Sequence, residues 1–323
     1  MRKGDIKGGQ LFKQKSEIKK TYKELYEEFM LSIKIKGRSE YTLRSYKHHN
    51  KYFMEFLGED TLCCDITERT LEEYILYIQE VKKLTNGITI NSYLRNISPI
   101  IKFGIKKRYI LDDFEIPVVK YQETFKEIYT LEELNRLLEK PKKRDFTSIR
   151  TWTILWTLAS TGIRARELRE LRVKGVDLLN RSITVNATKN KKARYLPISN
   201  SLSEVLTEYL EFRRGDGDDY LFPSVYGELM AQSTLQKCIK VYCDKKGVEK
   251  YSLHLFRHTF ITNAVNQNVS PLILQKITGH STMKELNRYY NAKTTDMVGI
   301  IDDIAPKVNK RESIFKSTQG KKK

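Results

Sequence analysis

The chain of 323 residues carries 59 Lys and Arg against 40 Asp and Glu, a formal charge of +19, and 40% of its residues are apolar. Its length allows two domains with a core each, and the positive excess, spread along the chain, is the footprint of a polyanion binder. No apolar run approaches the roughly 20 residues that span a bilayer, and the opening MRKGDIKGGQLFKQK lacks the apolar segment of a signal peptide, so the expectation is a cytoplasmic protein with no membrane partner.

Residues 1–16, with Arg2, Lys3, Lys7, Lys13 and Lys15 among three glycines, read as a basic flexible arm. Residues 17–110 read as a helical domain. Apolar positions recur at helical spacing from Ile18 through Tyr22, Leu25, Phe29 and Ile33 to a stop at Gly37, and a second helix runs from Ser39 to Gly58 over Leu43, Tyr46, Phe53 and Leu57. Thr70 and Glu73 are spaced for a capping box on a third helix bearing Leu71, Tyr74, Ile75 and Ile78. Asn86 to Lys107 gives a fourth, in which Pro99 predicts a kink. Basic residues are frequent between these apolar faces, Lys82 and Lys107 among them. Any single one suits an ordinary solvated surface, but together they suit a face laid on phosphates. Arg44, Lys47, Lys51, Arg95 and Lys102 are the expected DNA contacts.

Periodicity lapses over 111–128, which reads as a linker. Residues 129–305 read as a second domain. Thr130 and Glu133 form a capping box ahead of Leu131, Leu134, Leu137 and Leu138, and Asp145 to Ala159 is a strongly apolar helix, with Trp152, Ile154, Leu155, Trp156 and Leu158, that belongs in the core. Thr161 and Gly162 break it, and TGIRARELREL follows. A charged helix surface explains Arg166 and Arg169; Arg164, directly after a buried helix, is poorly placed to reach solvent. Ile183 and Val185 alternate in one strand of a hairpin whose return is Tyr195 to Ile198, with a basic tip, Asn186 to Lys192, suited to a DNA groove. Helices over Asn200–Arg213 and Ala231–Lys246 flank GDGDDY, which lacks calcium-loop spacing and reads as a solvated turn. Cys63 and Cys64 are adjacent and Cys238 and Cys243 share a helical pattern, so the thiols read as buried or idle and no metal or other cofactor is expected. A short amphipathic helix is expected over 294–304, and residues 306–323 form a basic, disordered tail.

The stretch from Ser252 to Tyr290 holds three of the five histidines. Ser252 is placed to cap a helix with His254, Arg257 and His258 in one turn, and Ser270 with Pro271 opens a second that Gly279 stops, leaving His280 at its end and Tyr289 nine residues beyond. A packed core accounts for the leucines but not for this order of polar groups. Two arginines can hold the non-bridging oxygens of one phosphate and stabilise the extra charge of its transition state. A phenol, with a reference pKa of about 10, needs help to lose its proton before it can attack phosphorus. A lysine on a hairpin can protonate the departing deoxyribose oxygen.

These residues resemble the tyrosine recombinases, also called the phage integrase family. TGIRARELREL is similar to the family's first arginine motif, HLFRH to its HxxR motif, and TGHSTMKELNRYY to its final His and Tyr block, in the right order over about 130 residues. The resemblance implies a mainly α fold with a small β component: a SAM-like helical core-binding domain and an α+β catalytic domain, forming a C-shaped clamp on DNA. It implies that Arg164 and Arg257 clamp the scissile phosphate, Glu167 supports Arg164, Lys189 is the general acid with Lys191 and Lys192 as less favoured candidates and DNA contacts, His254 assists proton transfer, His280 hydrogen-bonds the phosphate and Tyr289 attacks it. It leaves His48, His49 and His258 as structural or surface residues. It also implies a metal- and ATP-independent strand transferase, working as four protomers on specific core sites through a 3′-phosphotyrosyl bond and a Holliday junction, with 294–304 docking in trans.

The chain departs from the family pattern in three places. Tyr290 directly follows Tyr289, although the spacing from His280 favours Tyr289. Phe256 and Thr278 stand where leucines are commoner, with little chemical consequence expected. Only about 16 residues precede the first helix, too few for an arm-binding domain, which favours a recombinase of a mobile element or of DNA multimer resolution. The alternatives are a type IB topoisomerase, sharing this chemistry without site choice, and a non-catalytic basic DNA-binding protein.

Overall fold

The computed structural model describes residues 19–122, 127–186, 193–280, 282–287 and 289. The arm 1–16, the hairpin tip with Lys189, Lys191 and Lys192, Tyr290, the segment 294–304 and the tail 306–323 lie outside them. The chain divides into two units, Met1–Phe125 and Lys126–Lys323, and among the described residues no helix is long and apolar enough to cross a membrane.

The first unit is built from α1 (Tyr22–Ile35), α2 (Glu40–Leu57), α3 (Glu68–Glu80) and α4 (Gly87–Lys106). Thr21 and Glu24 form a reciprocal capping box on α1, and Ser39 and Asn86 cap α2 and α4 through their side chains. The box on α3 is formed by Thr67 and Thr70, one turn earlier than the Thr70–Glu73 pair read from the sequence. α4 continues as a helix through Pro99. The apolar stripes meet in one core: Tyr22, Leu25, Phe29 and Ile33 from α1, Phe53 from α2, Leu71, Tyr74 and Ile78 from α3, and Ile90, Leu94, Ile97 and Ile101 from α4. Phe53 stands edge-on to Tyr22 and Tyr74, at ring distances of 5.0 and 4.7 Å. The buried Tyr22 hydroxyl donates to Asn50 Oδ1 at 2.6 Å, which supplies the partner that a buried phenol needs.

The segment read as a linker is not uniform. Phe114, Ile116 and Val119 pack on the first core, and Asn91 holds Val119 by two backbone bonds, at 2.8 and 2.9 Å. Tyr129 belongs to the second unit, where its N–H donates to Thr259 Oγ1 and its ring lies 4.4 Å from Phe256.

In the second unit, α5 (Leu131–Leu138), α8 (Asn200–Arg213), α9 (Gln232–Lys245) and α10 (Leu253–Asn266) pack on the apolar α6 (Phe146–Thr161). α7 (Ala165–Glu170) follows α6, then a three-stranded antiparallel sheet in the order β1 (Val176–Asp177), β2 (Ser182–Val185), β3 (Arg194–Pro197). The β2–β3 register pairs Ile183 with Leu196 and Val185 with Arg194. The two-residue β1 has no alternation to read, and the sequence pattern missed it. α11 (Pro271–Thr278) and α12 (Met283–Asn287) complete the described unit. Burial pushes the Cys63 and Cys243 thiols up to about 12. In the GDGDDY turn, Asp218 is paired with Lys174 and Asp219 with Arg213.

Candidate active site

The C-terminus of α11 is the point on which the candidate residues converge. The last carbonyls of a helix have no partner within it, and the helix dipole favours cations there. Each of its last three carbonyls, counting the capping residue, receives a guanidinium from a different element. Arg194, opening β3, donates to Ile277 O at 3.1 Å; Arg257, on α10, donates to Thr278 O at 2.9 Å; Arg164, capping α7, donates to Gly279 O at 2.7 Å. Gly279 makes this approach possible. It takes φ +65°, and a Cβ there would stand 2.9 Å from the Arg194 guanidinium.

One carboxylate binds this group from behind. Glu167, 4% exposed, accepts two hydrogen bonds from Arg194 at 2.9 and 2.8 Å, one from Arg164 Nη1 at 3.2 Å and one from the Arg164 backbone N–H at 3.1 Å. Burial pushes its carboxyl up, but the hydrogen bonds and charge of Arg194, followed by those of Arg164, outweigh this and hold it below the usual carboxylate range. Arg164 and Arg194 share this one carboxylate and Arg257 feels only its charge, which leaves two positive charges in excess among the four side chains. An excess of charge in a partly buried site is costly to keep and favours an anion.

Arg257 is the most buried of these three arginines, 4% exposed, and also donates to Gly162 O at 2.7 Å where α6 ends. Burial, then the charge of Arg164, lowers its pKa to about 10, against the pull of Glu167, so it remains a cation at neutral pH. Its Nη2 reaches His280 Nε2 at 3.0 Å, while His280 Nδ1 lies 2.7 Å from the Thr278 hydroxyl. Tyr289, on the turn after α12, rests half-buried on the small cluster of Ile261, Leu274 and Leu286.

The structure thus brings together Arg164, Glu167, Arg257 and His280, with Tyr289 beside them. His254 is one turn before Arg257 on α10 and exposed; Ser252 occupies the cap position but makes no side-chain capping bond. Arg164 is not shut away from solvent as the sequence suggested, its side chain being 39% exposed. His258, read as structural or surface, lies with its ring 5.0 Å from that of Tyr289. Thr278, whose departure from leucine was expected to have little chemical consequence, contacts His280 directly. Arg194 was missed, although strand alternation from Leu196 puts it on the inward face, where a cation requires a carboxylate.

In the first unit, the expected DNA contacts Arg44, Lys47 and Lys51 on α2 and Arg95 and Lys102 on α4 are all exposed. The two helices run antiparallel, with Ser45 bonded to Asn96 at 3.1 Å and His49 near Ser92. Lys82 and Lys107 are held by carboxylates: Lys82 is bound to Glu55 at 2.6 Å and lies over the Tyr52 ring, and Lys107 pairs with Glu28.

A mostly helical fold with a small antiparallel sheet and an arginine-rich site ahead of a tyrosine defines a class, and the chain belongs to the phage integrase family, which matches residues 127–296, more than half of its length. The phage integrase SAM-like domain matches residues 21–122. Among curated relatives, the tyrosine recombinase XerD of Staphylococcus haemolyticus is 24% identical over 294 residues, covering 88% of this chain and 99% of the relative. The fold is shared with the Tn1549 transposon integrase solved with transposon right end DNA, at a TM-score of 0.73 and 20% identity over 89% of this chain and all of that one. It is also shared with the XerH site-specific recombinase bound to its difH substrate, at a TM-score of 0.64 and 20% identity over 87% of this chain and 84% of that one.

Proposed function

We propose that this chain is a site-specific DNA recombinase that cuts and rejoins duplex DNA through a covalent tyrosine intermediate. The observation that carries this reading is the convergence of Arg164, Arg194 and Arg257 on the end of α11, with two positive charges in excess, beside His280 and Tyr289. Arg164 and Arg257 hold the non-bridging oxygens of the scissile phosphate, exchanging backbone carbonyls for phosphate oxygens. Glu167 and Arg194 keep Arg164 in place. The Tyr289 oxygen, relieved of its proton with help from His254, attacks phosphorus; the bond to the 5′ oxygen breaks, and Lys189 gives that oxygen a proton. The 3′-phosphotyrosyl bond keeps the energy of the broken linkage, so attack by the 5′-hydroxyl of a partner strand restores a phosphodiester without ATP or metal.

Recombination on this reading joins four protomers on paired core sites through a Holliday junction, with both units gripping the duplex, residues 294–304 docking on the neighbouring protomer, and the whole acting at the bacterial nucleoid. Integration or excision of a mobile element and resolution of DNA multimers are both compatible with the relatives found. The test is a nicked suicide duplex bearing a site selected from a random library with Tyr289→Phe protein. A covalent adduct should form with wild type and with Tyr290→Phe, and be lost with Tyr289→Phe. Failure of wild type to form any adduct on the selected site would sink the reading, and relaxation of plasmids lacking that site would point to a topoisomerase.

A further inference from the structure

Among the described residues, the hydrogen bonds around His280 select one tautomer. The Thr278 hydroxyl lies 2.6 Å from Leu274 O, one turn back on α11, and 2.7 Å from His280 Nδ1. A hydroxyl has one proton to give. Given to the carbonyl, it leaves the oxygen to accept from Nδ1–H; the other ring nitrogen, Nε2, then carries a lone pair and faces the Arg257 Nη2 donor at 3.0 Å. All three contacts are satisfied together. The opposite assignment sets Nε2–H against the guanidinium N–H and takes the hydroxyl proton away from Leu274 O, so two contacts fail at once.

We propose that Thr278 is a positioning residue for His280, fixing the proton on Nδ1, so that His280 can donate from Nε2 to a phosphate oxygen only as the imidazolium, and phosphate binding takes up one proton there. The inference rests on the reading of this site as a phosphate site. In the free protein, Arg257 supplies the hydrogen bond to Nε2. When Arg257 turns to a phosphate oxygen, a neutral imidazole would present a lone pair to an anion, whereas a protonated ring presents a second N–H. The proton comes from solvent and sits on Nε2; no bond to phosphorus is involved.

The surrounding charges support the linkage rather than supplying it. Arg257 on α10 faces Nε2; Arg164 and Arg194 hold the adjoining carbonyls; Glu167 joins those two, and His258 abuts Tyr289. Arg257, with a pKa of about 10, and Glu167, held below the usual carboxylate range, keep their charges across neutral pH. The three arginines oppose a fourth cation until an anion enters, so the imidazolium is favoured by the bound phosphate and disfavoured without it.

The test is nitrogen-15 spectroscopy of the full chain labelled at its five histidines, with the His280 signal assigned by its loss in His280→Gln. In the free protein, Nδ1 should be protonated and Nε2 bare. Sulfate, which does not titrate in this range, should protonate Nε2, and its affinity should fall by roughly tenfold per pH unit between the free and bound titration points, the limit for uptake of one proton. Thr278→Val, nearly the same shape without the hydroxyl, should give a mixture of tautomers, and Thr278→Ser should restore the Nδ1–H form. A free protein with Nε2–H, or a His280 titration unmoved by sulfate, overturns the proposal, as does an unchanged tautomer in Thr278→Val. These readouts need no DNA cleavage, so they stand or fall apart from the adduct experiment on Tyr289.

Discussion

Glu167 shows how a single residue can hold the site together. It is 4% exposed and shared by Arg164 and Arg194, so Glu167→Gln leaves the part-buried Arg194 and the more exposed Arg164 without their counter-charge, and a loss of about 3 kcal/mol in unfolding free energy, the low end for a buried pair, is expected by denaturant titration. Because its folded pKa is depressed, the carboxylate's contribution is complete above its unfolded value of about 4.3 and is lost as pH falls through the lower folded value. The stability gap between wild type and Glu167→Gln should therefore close in acid and persist at neutral pH. Glu167→Gln combined with Arg194→Met should cost less than the sum of the two changes, since each removes the other's partner. The acidic position was legible in TGIRARELREL. Its main partner was not, because Arg194 lies 27 residues further on, and only the β2–β3 register carries it back to α7.

Among the elements, α11 has the largest role for its eight residues, because its C-terminal carbonyls fix three arginines from three separate parts of the chain. Gly279 allows this, and Gly37 provides the control: both take a left-handed conformation, at φ +65° and +67°, but a Cβ at Gly37 meets nothing within 4 Å. Gly37→Ala should cost about 1 kcal/mol, the penalty of the backbone conformation alone. Gly279→Ala should cost clearly more, and should lower adduct formation on the suicide duplex as well, because Arg194 must move. Equal losses in thermal unfolding for the two variants would show that the guanidinium yields freely. That α11 begins at Pro271 and stops at Gly279 was readable from the sequence, as was Thr278's departure from leucine. The consequence of that departure was not, since it depends on one helical turn setting the hydroxyl between Leu274 O and the ring of His280.

For the molecule as a whole, the formal charge of +19 predicts binding to any duplex at low salt, with an affinity that falls steeply as salt displaces it. Replacing exposed Arg44 or Arg95 by Ala should reduce the slope of log affinity against log salt by about 0.9 for each phosphate no longer neutralised. Lys82→Ala should leave the slope unchanged, because Glu55 already neutralises that ammonium at 2.6 Å. Fluorescence anisotropy on a single duplex between about 50 and 200 mM salt measures all three. The two helical cores, the caps that open and close most of their helices, and the identity of the residues able to handle a phosphate are all legible in the order of the amino acids, because periodicity, capping and side-chain chemistry are local properties. Folding in three dimensions was needed to decide which cations are held by internal carboxylates, that Arg194 belongs with Glu167, that His258 lies against Tyr289, and that the Thr278 hydroxyl stands between Leu274 O and the ring of His280. Each of these depends on groups distant in the chain, or on the direction of a single hydrogen bond, and neither is written in the spacing of residues along a line.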